Sequence, residues 1–492
     1  MKKLIALLIA VLLCLGAFTA CGGDGTTNVD DPENGGSLEG VTFDSRSSEM
    51  YKDTKEGKER IKISYTPGFG QGWIRQMARA FLLDEIGEGY YMVLDSDSEL
   101  TTAVSSKLES GMNLSDIYFP LASNWYNYSA LGYLENLDDL YNMTVPGESV
   151  TVLEKINGAW KDYGKAICNQ ETHYYVFPGN ENITGIVYNK TLFDEYGWEV
   201  PETVEELNTL CAKIVTDTKG TIAPFVYPGT VGGGYWDFVG TNWWLQISGT
   251  EKLDEFMKFE SPDVFKTTKT SPSYGKLKSL ETFEEVIVAN RKTYTLTGSA
   301  SKSHLLAQVS FLNRQAAMIP NGNWIEKESL AEMEDEVRMM YTPRIDGAQQ
   351  DENGKYLTYN YSGQPDYMLI PAQAKNKEGA KKFLAFMCKD EILKKYTSLT
   401  GTPRPFEYDI SECETSDFIK SCLDIWSNST TWFEKSTSKL WTSNKIAKFN
   451  SGNPYTTLLA NSETISAIGW CAAEYTAVEK SWAGLLEQVN GK

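Results

Sequence analysis

Ile61-Lys62-Ile63-Ser64-Tyr65-Thr66-Pro67-Gly68 sets the reading of the whole chain. Ile61, Ile63 and Tyr65 alternate with polar residues and stop at Pro67-Gly68, the pattern of a strand followed by a turn. The next segment, Trp73 to Ile86, carries Ile74, Met77, Ala78, Phe81 and Leu82 at helical spacing. A second strand around Tyr90 to Leu94, a helix with Leu100, Val104 and Leu108 on one face, and a third strand at Asp116 to Phe119 complete the pattern. Strand-helix-strand alternation predicts an α/β fold with a parallel sheet, whose ligand sites form at the carboxyl ends of the strands. The loops 67–73 and 120–126 leave those ends.

Beyond Tyr174 a second unit begins with a strand at Ile183 to Tyr188. A helix at Thr203 to Val215 follows, with Val204, Leu207, Cys211 and Ile214 on its apolar face. Thr203 suits the N-cap, and Glu205 and Glu206 fall in the first turn, where the helix dipole favours them. Further helices are predicted at Leu280 to Asn290, Glu378 to Cys388, Asp417 to Trp426 and Thr464 to Gln488, so the C-terminal part reads as largely helical. A chain of 492 residues is long enough for two domains.

Residues 1–20 combine Lys2 and Lys3, an apolar stretch from Leu4 to Gly16, and small residues before Cys21, which together read as an export signal. The end of this segment resembles a lipobox, with Phe18 standing where an aliphatic residue is usual, and that resemblance implies lipidation at Cys21. The apolar stretch is shorter than the roughly 20 residues that cross a bilayer. Residues 21–60 are rich in Gly, Asp, Glu, Ser, Thr and Lys and nearly empty of large apolar side chains, and are expected to form a flexible linker. Such a coil has a root-mean-square reach of roughly 35 Å.

The formal charge is −20, and without residues 1–20 it becomes −22, from 44 basic and 66 acidic side chains. Nucleic acid and anionic lipid are poor partners for such a surface. Cys168, Cys211, Cys388, Cys413, Cys422 and Cys471 include no C-x-x-C pair, and only Cys413 and Cys422 are close enough in sequence to suggest a local bridge. Buried free thiols are the expected state. With His173 and His304 as the two histidines, no metal site and no cofactor is expected.

Five separated motifs carry a family resemblance. They are Ser115-Asp116-Ile117-Tyr118-Phe119; Gly132-Tyr133-Leu134-Glu135-Asn136-Leu137; Gly185-Ile186-Val187-Tyr188-Asn189-Lys190; Phe193-Asp194-Glu195-Tyr196-Gly197 followed by Pro201-Glu202-Thr203; and Ala316-Ala317-Met318 leading to Asn321-Gly322-Asn323-Trp324. In their order and spacing the chain resembles the family 1 extracellular solute-binding proteins, carbohydrate-capturing subunits of ABC importers and relatives of the maltodextrin-binding protein. The resemblance implies a two-lobed periplasmic-binding-protein-like fold with a hinge and an interlobe cleft. Lobe 1 would take 61–177 and 364–403, and lobe 2 would take 178–363 and 404–492. Crossings would fall near Phe177-Pro178-Gly179, Tyr361-Ser362-Gly363 and Pro403-Arg404-Pro405. It further implies a monomer at the outer face of a bacterial cytoplasmic membrane. That monomer would be held there through its lipid alone and would deliver an oligosaccharide to the permease subunits.

A sugar presents hydroxyls around its rim and C–H groups on its face, so its site needs planar rings plus amide, carboxylate or guanidinium partners. In the loop after the first strand, Phe69, Gln71 and Trp73 are candidates, with Trp73 alternatively starting the helix against the core. Asn124 and Trp125 follow the third strand, and Pro120 stands where the maltodextrin-binding relative carries an aromatic. Asn180 and Asn182 lie at or next to the place of that relative's cleft carboxylate, or serve turn formation. Trp236 and Asp237 close a Gly-rich segment resembling the one whose aromatic stacks on sugar, while Trp243 and Trp244 read as core. Trp324 matches the family's Asn-Gly-x-Trp motif, and Arg404 either reaches the cleft or pairs with an acid. Two alternatives stay open. One is a cell-surface glycan hydrolase using two carboxylates, for which G-x-S-x-G and H-E-x-x-H are absent. The other is a binding protein for a non-sugar solute such as a peptide.

Overall fold

The computed structural model describes residues 30–31, 36–67, 72–120, 125–161, 163–168, 171–330, 333–436, 438–443, 445–446, 453–461 and 464–490. The signal at 1–20, the lipidation candidate Cys21, and the candidates Phe69, Gln71 and Asn124 lie outside the described residues.

We label thirteen strands: β1 (Thr42–Asp44), β2 (Glu49–Tyr51), β3 (Glu59–Tyr65), β4 (Tyr90–Ser96), β5 (Ile117–Phe119), β6 (Val176–Pro178), β7 (Thr184–Asn189), β8 (Ala223–Phe225), β9 (Ala316–Gly322), β10 (Val337–Met340), β11 (Tyr359–Tyr361), β12 (Tyr367–Leu369) and β13 (Thr430–Trp432). A seven-stranded sheet runs β6-β12-β5-β3-β4-β2-β1. Its centre is parallel, with Ile63 of β3 level with Leu94 of β4 on one side and Ile117 of β5 on the other. A four-stranded sheet runs β8-β9-β7-β10, and β11 pairs with β13 in a separate parallel ribbon.

The helices used below are α1 (Gly72–Leu83), α2 (Leu100–Ser110), α3 (Val204–Asp217), α4 (Trp236–Met257), α5 (Lys377–Phe386), α6 (Asp390–Thr400), α7 (Asp417–Asn428) and α8 (Ala467–Asn490). Their boundaries follow local chemistry. Helix α1 buries Trp73, Ile74, Met77, Ala78, Phe81 and Leu82, and the chain then tightens into a short turn capped by the Asp84 carboxylate. Each of Ile74, Met77, Phe81 and Leu82, removed from water, contributes roughly 1.5–3 kcal/mol. Helix α2 buries Leu100, Val104 and Leu108 and ends on Gly111, whose φ of 63° a side chain resists. Helix α3 opens with a capping box between Thr203 and Glu206.

One core belongs to the seven-stranded sheet with α1, α2, α5 and α6, and others to the second sheet and the remaining helices. The molecule is therefore the expected two-lobed α/β protein. The second lobe is tied to α8 by a buried ion pair, Lys276 to Glu474 at 2.7 Å.

Two expectations need correction. Residues 21–60 are not a flexible linker throughout: β1 and β2 extend the first sheet, Met50 pairs with Met92, and Leu38, Val41 and Met50 are buried. A few apolar side chains suffice here because β4 already supplies a sheet edge and a core to pack on. The stretch after Pro403 does not pass directly into the second lobe either. Phe406 is buried in the first-lobe core, and its neighbours hold residues 155–157: Pro405 O accepts from Asn157 N at 2.9 Å, and Glu407 N donates to Lys155 O at 2.8 Å. The chain reaches the second lobe with α7, where Met339 N of β10 donates to Ser421 Oγ at 2.9 Å. Cys211, Cys388, Cys413, Cys422 and Cys471 are buried free thiols.

Candidate functional site

The passage between lobes is built on Pro178 and Gly179. A side chain at 179 would meet the Asp366 carbonyl at 2.7 Å, so only glycine fits this approach. Arg404 neither reaches the cleft nor pairs with an acid. Fully buried, its guanidinium donates to the carbonyls of Pro178 (2.8 Å), Gly179 (3.2 Å) and Met387 (2.9 Å), while Phe177 and Phe406 lie beside it. Buried carbonyls need donors, and one planar five-donor group satisfies three of them.

Asn180 is also enclosed. Its Oδ1 accepts from Tyr396 at 2.5 Å and its Nδ2 donates to Asp366 at 3.4 Å. Asn182 is half-buried, its backbone N donating to Ser362 Oγ at 2.7 Å, and its Oδ1 is buried with no partner. Burial pushes the Asp366 carboxyl up to about 7, against the opposing pull of the Asn180 and Asn182 amides.

On the second lobe, Gly233, Gly234 and Tyr235 all adopt positive φ, at 77°, 59° and 61°. For tyrosine this costs on the order of 1–2 kcal/mol. The left-handed run turns Tyr235 toward Phe238 (5.1 Å between centroids) and Trp324 (6.1 Å), and Phe238 and Trp324 approach to 5.4 Å. The Trp324 indole lies over Gly322, where a Cβ would collide at 2.1 Å, and it also touches the first-lobe core. Phe238 lies 6.1 Å from Tyr361, whose hydroxyl donates to Glu434 at 2.7 Å. Asp237 stands in the first turn of α4 with one buried carboxylate oxygen that has no partner. Burial pushes its carboxyl up to about 7, and the negative charge of Glu434 adds to the rise.

Trp236 is elsewhere. Only 1% exposed, it packs on Phe225 and Phe283 in the second-lobe core. Its spacing to Val239, Gly240 and Trp243 is that of a buried helical face, the signal that separates it from Tyr235. Trp73 is enclosed as well, edge-on to Tyr65, Phe119 and Tyr396, although its ring N–H has no partner. Trp125 is buried, donates to Tyr163 at 3.0 Å and stacks at 3.8 Å on Tyr126, which stays half-buried. Burial pushes the Tyr163 hydroxyl well above its usual range, and nearby Asp366 adds to the rise.

The structure thus brings Asp237 and Trp324 together with four residues that the sequence did not single out: Tyr235, Phe238, Tyr361 and Glu434. It places Trp73, Trp125, Trp236, Asn180 and Arg404 in enclosed positions. Glu434 carried no signal, being one of 66 acids. Among the described residues no cluster of three or more His, Cys, Asp or Glu could hold a metal ion, and no helix is long and apolar enough to cross a membrane.

Two α/β lobes meeting at an aromatic and acidic face define the class of a two-lobed binding protein. The chain matches the bacterial extracellular solute-binding protein family over residues 93–392 and belongs to it, a family of solute-binding proteins rather than enzymes. It is 25% identical over 329 residues to the multiple sugar-binding protein of Streptococcus mutans, a match covering 64% of this chain and 67% of that one. To the diacetylchitobiose-binding protein of Streptomyces coelicolor it is 24% identical over 279 residues, covering 56% and 54%. Its fold is similar to that of apo RafE from Streptococcus pneumoniae, with a TM-score of 0.61 at 15% identity over 86% of this chain and 98% of that one. An ABC substrate-binding protein from Listeria monocytogenes in complex with cycloalternan gives 0.61 at 17% identity, covering 87% and 99%.

Proposed function

We propose that this protein captures a carbohydrate, specifically an oligosaccharide, in the cleft between its lobes and hands it to the permease subunits of an ABC importer. The observation that carries this reading is the second-lobe face. Tyr235, Phe238 and Trp324 form a ring cluster beside an Asp237 oxygen that no protein group satisfies. Rings pack on the C–H face of a sugar, and an unpartnered carboxylate oxygen accepts a hydroxyl proton. Similar proteins support it: sequence relatives bind multiple sugars and diacetylchitobiose, and proteins of similar fold bind raffinose and cycloalternan.

Within this reading Trp324 and Asp237 are the principal ligand residues, with Asn182 at the hinge and Phe69, Gln71 and Asn124 from the first-lobe loops. Lipidation at Cys21 would keep the receptor, as a monomer, beside its transporter at the cell surface. Closure follows because a ligand touching both lobes binds the closed arrangement better than the open one.

The test is titration with neutral oligosaccharides, raffinose and stachyose first, followed by tryptophan emission. A saturable shift is expected that Trp324→Ala abolishes. Unchanged affinity in that variant would remove Trp324 from the site, and turnover of the glycan would overturn the receptor reading altogether. Mass analysis of the mature N-terminus checks Cys21.

A further inference from the structure

We propose that Glu181 is a positioning residue that ties the two lobes together at the base of the cleft by accepting one indole N–H from each. Its side chain is 3% exposed. Oε1 accepts from Trp160 Nε1 at 2.8 Å, and Oε2 accepts from Trp426 Nε1 at 2.7 Å. Trp160 belongs to the first lobe, buried against Tyr163 (5.1 Å) and Phe433 (4.7 Å). Trp426 belongs to the second, half-buried on α7 in the core that contains β10 residues Val337 and Met339. The backbone of Glu181 is held too, its N donating to Pro403 O at 3.0 Å.

The chemistry demands a carboxylate here. Two N–H donors converge on one side chain, and only an acceptor with two equivalent oxygens meets both. Glutamine would turn an NH2 toward one indole, and a protonated acid would turn an O–H toward it. With both oxygens engaged by protein, Glu181 has none to offer a ligand, unlike Asp237. Trp160 also packs on Tyr163, which bonds Trp125 and so reaches the stacked Tyr126. The tie therefore runs from the second-lobe helix, through Glu181, to the stacked Trp125–Tyr126 pair of the first lobe. It is contiguous from one lobe to the other and rests on the two-lobed fold, independently of which ligand the cleft takes.

The experiment uses the ligand-free full chain. Glu181→Gln is expected to keep its far-UV dichroism, to shift the radius of gyration from small-angle scattering to a larger value, and to speed solvent exchange of one of the two indole protons. Trp426→Phe keeps an aromatic ring at a half-buried position and removes only the donor from the second lobe. It is expected to give the same shift in radius, and added to Glu181→Gln it should add almost nothing, because both break one interaction. Unchanged radius in both variants, or effects that add in full, would overturn the proposal. Should Glu181→Gln fail to fold, Trp426→Phe decides by the radius alone.

Discussion

Trp125 and Trp324 each follow an asparagine in the sequence, one tryptophan in each lobe, and the fold treats the two rings in opposite ways. Trp125 is sealed in the first-lobe core, its N–H bonded to Tyr163 and one face covered by Tyr126. Trp324 sits on Gly322, where no side chain lifts it, and stays half-buried among Tyr235 and Phe238. Its asparagine is a girder: Asn323 Oδ1 accepts from Ile183 N, and Nδ2 donates to Gly401 O and Thr402 Oγ1. A ring becomes available to a ligand when its backbone is fixed by such bonds and part of its surface stays exposed, as at half-buried Trp324. The first-lobe tryptophan meets the first condition through packing and fails the second.

This contrast can be broken most forcefully by truncation. Trp125→Ala and Trp236→Ala should each cost about 3–5 kcal/mol of folding stability through the cavities they leave, read as a lowered midpoint in denaturant. Trp324→Ala should cost under about 1 kcal/mol of stability while weakening ligand binding by about 2 kcal/mol, the range of an interface anchor. Equal losses of stability in all three would erase the distinction between wall and core.

The acids sharpen the comparison in a second way. Asp366 and Asp237 are both pushed up to about 7, chiefly by burial. Because their folded values lie above the unfolded ones, the fold prefers them protonated. The stability they support is complete below about pH 4 and is lost as pH rises through 7. Each acid contributes a slope of up to about 1.4 kcal/mol per pH unit in that window. Denaturation midpoints should therefore fall from pH 5 to pH 8, and Asp237→Asn should flatten the second-lobe share. A midpoint that rises over this range contradicts the burial of these groups.

The smallest expected effect is at Tyr235. Tyr235→Gly relieves a left-handed backbone worth on the order of 1 kcal/mol and removes a ring that borders Trp324. Stability should change by less than about 1 kcal/mol while carbohydrate affinity falls. A variant that binds as well as the parent would leave Trp324 and Phe238 as the stacking pair.

Much of the fold was legible because periodicity reports burial directly. Ile61, Ile63 and Tyr65 read as a strand, Leu100, Val104 and Leu108 as a helix face, and the Thr203 cap with Glu206 three residues on, and each is so in the structure. The candidate site was legible at the level of segments. Gly232 to Asp237 and Asn321 to Trp324 were singled out, yet in the first the ring beside Trp324 is Tyr235 and not Trp236. The N-terminal hairpin at 42–51 was missed because its own composition is too polar for a core. It packs on an edge that belongs to β4, and no local window contains that edge.

The sequence by itself determined which stretches alternate, which turn, and that two α/β units carry the motifs of a solute-binding protein, because these follow from interactions within a few residues. Tertiary structure alone decided which aromatic of each motif is sealed and which stays half-buried. It also turned Arg404 onto three backbone carbonyls and gave Glu181 a tryptophan from each lobe. The physical reason is that an apolar or acidic side chain has the same local signature whatever it meets, and its partners here lie 21 to 245 residues away along the chain.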